Sequence, residues 1–288
     1  MNNSHSILIT GSKGYIGSYL SKTFREKGYP VHGIDMNVLQ TETESPCDIS
    51  DQNALNSIIN RLKPGIIIHT AGLSSLEKCE KEEKTAYRIN TEGTNNIINA
   101  MQNFVPQSKL IFLSTDYVFD GSRGMYKEEE IPNPVTVYGK TKLKAENSIM
   151  DNLKNHAICR TANVYGRGGN FFNYILSSLD SNTVIKVFQD AFFSPTCIDN
   201  LLEMITMIIE KDQTGLFHTA GSERINRYNF AKKIAKAFKK DENLITEAKR
   251  PADSLIAFDL SLSIEKTRQR LGIDFFDITR GLETIRGN

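Results

Sequence analysis

The chain is short of cysteine, of net charge and of long apolar runs, and each shortage removes a class of protein. Its four cysteines, Cys47, Cys79, Cys159 and Cys197, are scattered singly through 288 residues. No CxxC pair and no Cys/His cluster with metal spacing occurs, which argues against a metal site or a disulfide framework and for a reducing compartment. Cys159 sits in an apolar run and reads as core. Lysine and arginine total 35 against 34 aspartates and glutamates, a net charge of +1. That balance offers no electrostatic footprint for nucleic acid or an acidic membrane surface. The runs Lys78 to Lys84 and Lys236 to Lys240 are interleaved with or followed by acids and read as solvated helix faces. No segment nears the roughly 20 apolar residues that span a bilayer. Met1 to His5 is polar and lacks the apolar stretch of a signal peptide. No internal repeat or low-complexity tract appears. The expectation is a soluble, cytoplasmic protein of one large or two modest domains.

What is present starts with glycine. Ser6 to Thr10 is an apolar run suited to a buried strand, and Gly11, Gly14 and Gly17 follow at three-residue intervals. From Tyr15 to Lys27 the residues Ile16, Leu20 and Phe24 recur at helical spacing. Glycines between a strand and a helix let the backbone approach a pyrophosphate, which then sits at the positive end of the helix. Gly11, Lys13, Gly14, Tyr15, Ile16 and Gly17 are therefore candidate contacts. A second apolar run, Pro30 to Ile34, ends in Asp35, 18 positions after Gly17. An acid there can accept hydrogen bonds from an adenosine ribose.

Strand-like and helix-like segments alternate onward. A polar loop with Asp48 and Ile49 precedes a helix from Gln52 to Leu62, then the strand Ile66 to His69. A helix from about Glu82 to Asn103 places Tyr87, Asn90, Thr94, Ile97 and Met101 on one stripe. Lys109 to Leu113 is the next strand, a helix runs from Tyr138 to about Asn155, and Ala157 to Arg160 closes the series. Such alternation predicts an α/β fold, a doubly wound parallel sheet covered on both faces. Residues 1–165 are expected to form this dinucleotide-binding domain. Residues 166–288, where alternation fails, are assigned to a smaller α+β substrate domain, with segments near 192–219 returning to the main sheet.

The chemistry is concentrated in Tyr138-Gly139-Lys140-Thr141-Lys142, downstream of Ser114-Thr115-Asp116-Tyr117-Val118-Phe119-Asp120-Gly121. A tyrosine and a lysine four apart share one helix face. There an ammonium can lower the phenol's pKa and make it a usable proton carrier. YxxxK by itself is common; behind a nucleotide-binding start it points to proton transfer.

These motifs together resemble the extended short-chain dehydrogenase/reductase superfamily, with its Rossmann fold. Ser114 to Gly121, Val137 to Leu143, Arg160-Thr161 with Gly169-Asn170-Phe171, and Arg250 to Ser254 resemble the dTDP-4-dehydrorhamnose reductase family. The resemblance implies an oxidoreductase of polysaccharide and dTDP-rhamnose biosynthesis acting on a nucleotide-linked 4-keto-6-deoxy sugar. It makes Tyr138 the proton donor, Lys142 its tuner and a holder of the nicotinamide ribose, and Thr115 a hydrogen-bond partner of the reacting oxygen. Cofactor contacts extend by position to Asp48, Ile49, Ala71, Gly72, Leu73 and Ser114, with Tyr138 and Lys142. Substrate contacts implied are Thr115, Asp116, Asn163, Phe193 and Arg250. His69 reads as a strand-end residue. Asn90 reads as a core asparagine or a member of a water or lysine network. NAD(H) is expected to be preferred through Asp35, with NADP(H) tolerated through Lys13. A homodimer is compatible with the sequence.

Two departures keep alternatives open. Arg160-Thr161-Ala162-Asn163 carries asparagine where the reductases usually show tryptophan, a version resembling nucleotide-sugar epimerases, whose asparagine touches substrate phosphate. Phe193 replaces a usual glycine and is expected to fill space beside the sugar. A 4,6-dehydratase is disfavoured because Tyr117 stands where those enzymes carry glutamate. A non-catalytic reading also stands, since the regulatory subunit of methionine adenosyltransferase shares the fold.

Overall fold

Short runs rich in isoleucine and leucine form strands with every residue buried, as a sheet covered on both faces demands. The computed structural model describes residues 6–287; the polar start, Met1 to His5, lies outside them. Along the chain come β1 (Ile7–Thr10), α1 (Tyr15–Glu26), β2 (Val31–Asp35), β3 (Glu44–Pro46), α2 (Gln52–Leu62) and β4 (Ile66–His69). Next are α3 (Leu76–Lys81), α4 (Glu83–Tyr87), a π-helical turn (Arg88–Glu92), α5 (Gly93–Phe104), β5 (Lys109–Thr115), α6 (Val137–Asn152) and β6 (His156–Thr161). Then follow β7 (Val164–Tyr165), α7 (Asn170–Asp180), β8 (Ile185–Phe188), β9 (Phe192–Phe193), β10 (Thr196–Cys197) and α8 (Ile198–Glu210). The last are β11 (Gly215–His218), β12 (Ile225–Asn226), α9 (Arg227–Ala237), β13 (Ile245–Ala248), α10 (Glu265–Leu271) and α11 (Ile278–Gly287).

The main sheet is parallel and seven-stranded, in the order β11-β6-β5-β4-β1-β2-β3. The chain fills one side from β1 through β3, then starts again with β4 on the other side of β1. The strand order reverses between β1 and β4, and an open parallel sheet places its ligand at the carboxyl ends of such a pair. This is the doubly wound fold that the alternation predicts.

The described residues form two compact units. The first holds residues up to Val118, Pro134–Cys159 and Gln213–Leu216. Its core packs Leu8, Ile34, Ile67 and Phe112 of the sheet against Leu55, Ile97, Met101 and Ile149 of the helices. The second unit holds Phe119–Asn133, Arg160–Asp212 and the chain from Phe217 onward. Its core gathers Tyr165, Phe172, Phe193, Phe230, Ile234 and Leu282. Here β8 pairs in parallel with β13, and β9 antiparallel with β12. This division differs from a single cut at 165: Phe119–Asn133 joins the second unit, and the stretch returning to the first is Gln213–Leu216. Among the described residues no helix is long and apolar enough to cross a membrane.

Candidate active site

The loop after β1 turns on glycine. Gly11 has φ +69°, and a Cβ there would lie 2.8 Å from the Ala71 nitrogen in the loop after β4. The two loops at the switch point touch because Gly11 carries no side chain. A Cβ on Gly17 would strike the Gly11 carbonyl oxygen, so glycine also lets α1 close on the strand end. Gly14 caps α1 with no side-chain acceptor, which leaves the first helical N–H groups for an anion. These residues fit a dinucleotide pyrophosphate. Tyr15 and Ile16 sit half-buried in the first turn of α1, while Ala71 and Leu73 are half-buried and Gly72 exposed across the switch point.

Asp35 ends β2, as expected. Its carboxylate accepts the backbone N–H of Lys13 at 3.3 Å and that of Asn37 at 2.9 Å, and retains lone pairs for further donors. Asp48 accepts the Ser50 N–H at 2.8 Å. Ile49 is buried, and a Cβ on Gly93 of α5 would meet its Cδ1 at 2.7 Å. The side chain of Ile49 is thus part of the packing under α5.

The carboxyl end of β5 delivers Ser114 and Thr115, with Asp116 next. Helix α6 begins at the cap Thr136, whose hydroxyl accepts the Gly139 N–H at 3.1 Å. That start puts Tyr138 and Lys142 one turn apart against β5. The Thr115 hydroxyl donates to Asp116 Oδ1 at 3.0 Å and accepts the Tyr117 N–H at 3.2 Å. It also lies close enough to the Tyr138 phenol to lower that group's pKa. Ser114 donates to the buried Glu146 of α6. Lys142 Nζ donates to the Leu113 carbonyl at 2.6 Å and lies 3.8 Å over the Phe112 ring. Burial lowers Lys142 to about 7, with Glu146 pulling the other way. Burial raises the Tyr138 phenol above its ordinary value of 10, against the lowering effect of Thr115. The phenol is therefore not drawn down by its lysine, as the helical spacing suggests. Desolvation prevails, and the ammonium is directed at the Leu113 carbonyl.

Behind this cluster lies a network that sequence reasoning did not find. The helix expected from Glu82 to Asn103 is broken by the π-helical turn, which presents Asn90 and Thr91 together to α6. Asn90 Oδ1 accepts the Leu73 N–H at 2.7 Å, while its Nδ2 donates to Leu73 O and Thr141 Oγ1, each at 3.0 Å. It staples the loop after β4 to the helix carrying Tyr138. His69 lies 2.7 Å from Thr10 Oγ1 through Nδ1 and 3.0 Å from Thr94 Oγ1 through Nε2. Thr94 spends its own proton on Asn90 O at 2.7 Å, so Nε2 carries the histidine proton. Thr10 accepts the Ala71 N–H at 3.2 Å and gives its proton to Nδ1. Only a neutral imidazole completes this chain, in agreement with the burial that pushes His69 down to about 3. Asn90 stood on the inward stripe; nothing in the local sequence marked the π turn.

Asn163, Phe193 and Arg250 belong to the second unit. Asn163 lies between β6 and β7, and its Oδ1 is buried with no hydrogen-bond partner in the protein. Phe193 is 4% exposed and packs edge-on to Phe230 at 5.5 Å. It is a core residue, which corrects its assignment to the sugar pocket: pairing with Ile225 turns it inward. Its neighbour Phe192 instead lines a cavity of about 500 Å³ with Arg224, Lys233 and Lys236. Arg224 stacks 3.9 Å over Phe192 and pairs with the buried Asp259 at 2.6 Å. Arg250 donates to Ile256 O at 2.6 Å and Asp190 O at 3.3 Å, so these bonds of its guanidinium brace a loop.

Residues 5–285 match the family described as RmlD substrate binding domain. The chain belongs to the RmlD family. It is 32% identical to a dTDP-4-dehydrorhamnose reductase of Aggregatibacter actinomycetemcomitans, an alignment covering 97% of this chain and 98% of that one. It is 29% identical to the methionine adenosyltransferase 2 subunit beta of Bos taurus, over 81% of this chain and 72% of that one. A crystal structure of dTDP-4-dehydrorhamnose reductase from Bacillus anthracis in complex with NADP matches with a TM-score of 0.89 and 27% identity, covering 98% of each chain. The resemblance to extended short-chain dehydrogenase/reductases is thereby a membership.

Proposed function

We propose that this RmlD-family chain is an NAD(P)H-dependent oxidoreductase that reduces the 4-keto group of a nucleotide-linked 4-keto-6-deoxy sugar. The observation that carries this reading is the meeting of Thr115, Tyr138 and Lys142 at the end of β5, in the same unit as the glycine cradle at the switch point. The nicotinamide, when bound, supplies hydride to C4. Tyr138, its pKa raised by burial, stays protonated at neutral pH and gives its proton to the carbonyl oxygen as negative charge develops there. Thr115 orients that oxygen with a hydrogen bond, and Asp116 holds an adjacent sugar hydroxyl. Lys142, whose ammonium donates to the Leu113 carbonyl, would hold the nicotinamide ribose when the cofactor is bound. Asp35 favours NADH by accepting ribose hydroxyls, and NADPH is tolerated.

The test is NADH oxidation with dTDP-4-keto-6-deoxy sugars. Tyr138→Phe should lose roughly 10²–10⁴-fold in kcat while binding NADH as the wild type does. Turnover within a few-fold of wild type would remove Tyr138 as the proton donor. A second reading, a non-catalytic subunit, is favoured by the 29% identity to the methionine adenosyltransferase subunit. It predicts that the wild type binds NADH, oxidises none with any keto sugar, and co-purifies with a partner enzyme. Interconversion of sugar epimers without net NADH oxidation would instead support the epimerase alternative.

A further inference from the structure

The glycine loop holds a lysine whose side chain is turned away from the ligand end of the sheet. The Lys13 backbone N–H bonds to Asp35 Oδ2 at 3.3 Å, so its Cα stands beside the carboxylate proposed above to accept the adenosine ribose hydroxyls. Its ammonium, however, pairs with Glu44 Oε2 at 3.0 Å. Glu44 is the first residue of β3, and the parallel register sets it opposite Gly33, two positions back from Asp35. The Glu44 side chain is only 17% exposed against 51% for Lys13, so the carboxylate is the fixed partner and the lysine the one drawn in.

Resting on the dinucleotide reading above, we infer that Glu44 is a cofactor-selecting residue that withholds the Lys13 ammonium from a ribose 2′-phosphate. Without Glu44, the flexible stem of Lys13 swings over Asp35 and meets a 2′-phosphate as a point charge. With Glu44 in place, that move breaks an ion pair and leaves a largely buried carboxylate without its cation. A ribose 2′-hydroxyl asks nothing of Lys13, so NADH binding is indifferent to the pair. Two carboxylates then act on the same choice by different routes: Asp35 through direct contact with the ribose, Glu44 by sequestering a cation. The first residue of β3 thus carries part of the specificity.

Dissociation constants for NADH and NADPH, read from nicotinamide fluorescence in wild type, E44Q, K13M and the double variant, test this. E44Q should tighten NADPH by roughly three- to ten-fold, the range of a partly exposed ion pair, and leave NADH within about two-fold. In the K13M background the same substitution should change NADPH affinity by less than about two-fold. Unaltered NADPH affinity in E44Q overturns the inference. So does an equal gain with and without Lys13, which would make Glu44 a direct repeller of phosphate. Unchanged NADH binding is the control for folding. If the wild type binds neither nucleotide, the dinucleotide reading itself falls; if both bind and E44Q changes nothing, only the role of Glu44 falls.

Discussion

Lys142→Met offers the sharpest physical test, because it removes a buried charge while keeping an unbranched chain of similar length. Burial lowers Lys142 from 10.5 to about 7. Between those values the unfolded chain holds a proton that the folded chain does not, so stability rises with pH across that window. Below pH 7 both states are protonated and the whole cost of a buried ammonium is present. At about 1.4 kcal/mol per pH unit, the full shift is worth on the order of 5 kcal/mol, recovered as pH approaches 10.5. Methionine cannot ionise and carries none of this dependence. Urea unfolding followed by circular dichroism suits a chain without tryptophan. From pH 7.5 to 9.5 the wild type should gain roughly 2–3 kcal/mol relative to the variant, since titrations common to both cancel in the difference. Parallel curves would mean that Lys142 is solvated in the folded state and that its hydrogen bond to Leu113 does not hold it in the interior. A confirmed slope would make the charge under Tyr138 a stability cost kept for chemistry.

Asp35→Ala should shift the ratio of kcat/KM for NADPH over NADH upward, and a strong NADPH preference already in the wild type would end Asp35's role as selector. Phe193→Gly should destabilise the second unit by roughly 3–5 kcal/mol in thermal or urea unfolding and leave the ranking of sugar substrates unchanged. A changed ranking at wild-type stability would return Phe193 to the pocket. Asn90→Leu strips partners from both backbone groups of Leu73 and from the Thr141 hydroxyl, a loss of roughly 2–4 kcal/mol by urea unfolding. Stability within 1 kcal/mol of wild type, on the order of a single exposed hydrogen bond, would show that the staple is replaceable.

Local pattern was enough wherever one stretch of chain carried its own signal. The apolar runs of β1 and β4 coincide with the strands to within a residue, and α2 spans the expected Gln52–Leu62. Glycine spacing located the tight turn, because only glycine tolerates φ +69° with a backbone nitrogen 2.8 Å from where a Cβ would sit. Asp35 was found by its distance from that turn. Elements without periodicity escaped: β3 is three residues in a polar loop, and β7, β9, β10 and β12 are two residues each. They exist only as pairings with distant strands.

By itself, then, the sequence determined the doubly wound architecture, the glycine turn before α1 and the residue types Thr115, Tyr138 and Lys142 near one strand end. Tertiary structure alone decided what those residues are electrostatically. The sign of the Tyr138 shift depends on how much water the surrounding chain removes, a sum over neighbours that spacing along a helix does not contain. It also decided which of two adjacent phenylalanines faces the core. Side chains in a strand alternate, and only the register of Phe193 with Ile225 and Phe192 with Asn226 selects the face. The turn of Lys13 toward Glu44 has the same origin: both residues are ordinary in the linear chain, and the parallel pairing of β2 with β3 brings the carboxylate within reach of the ammonium.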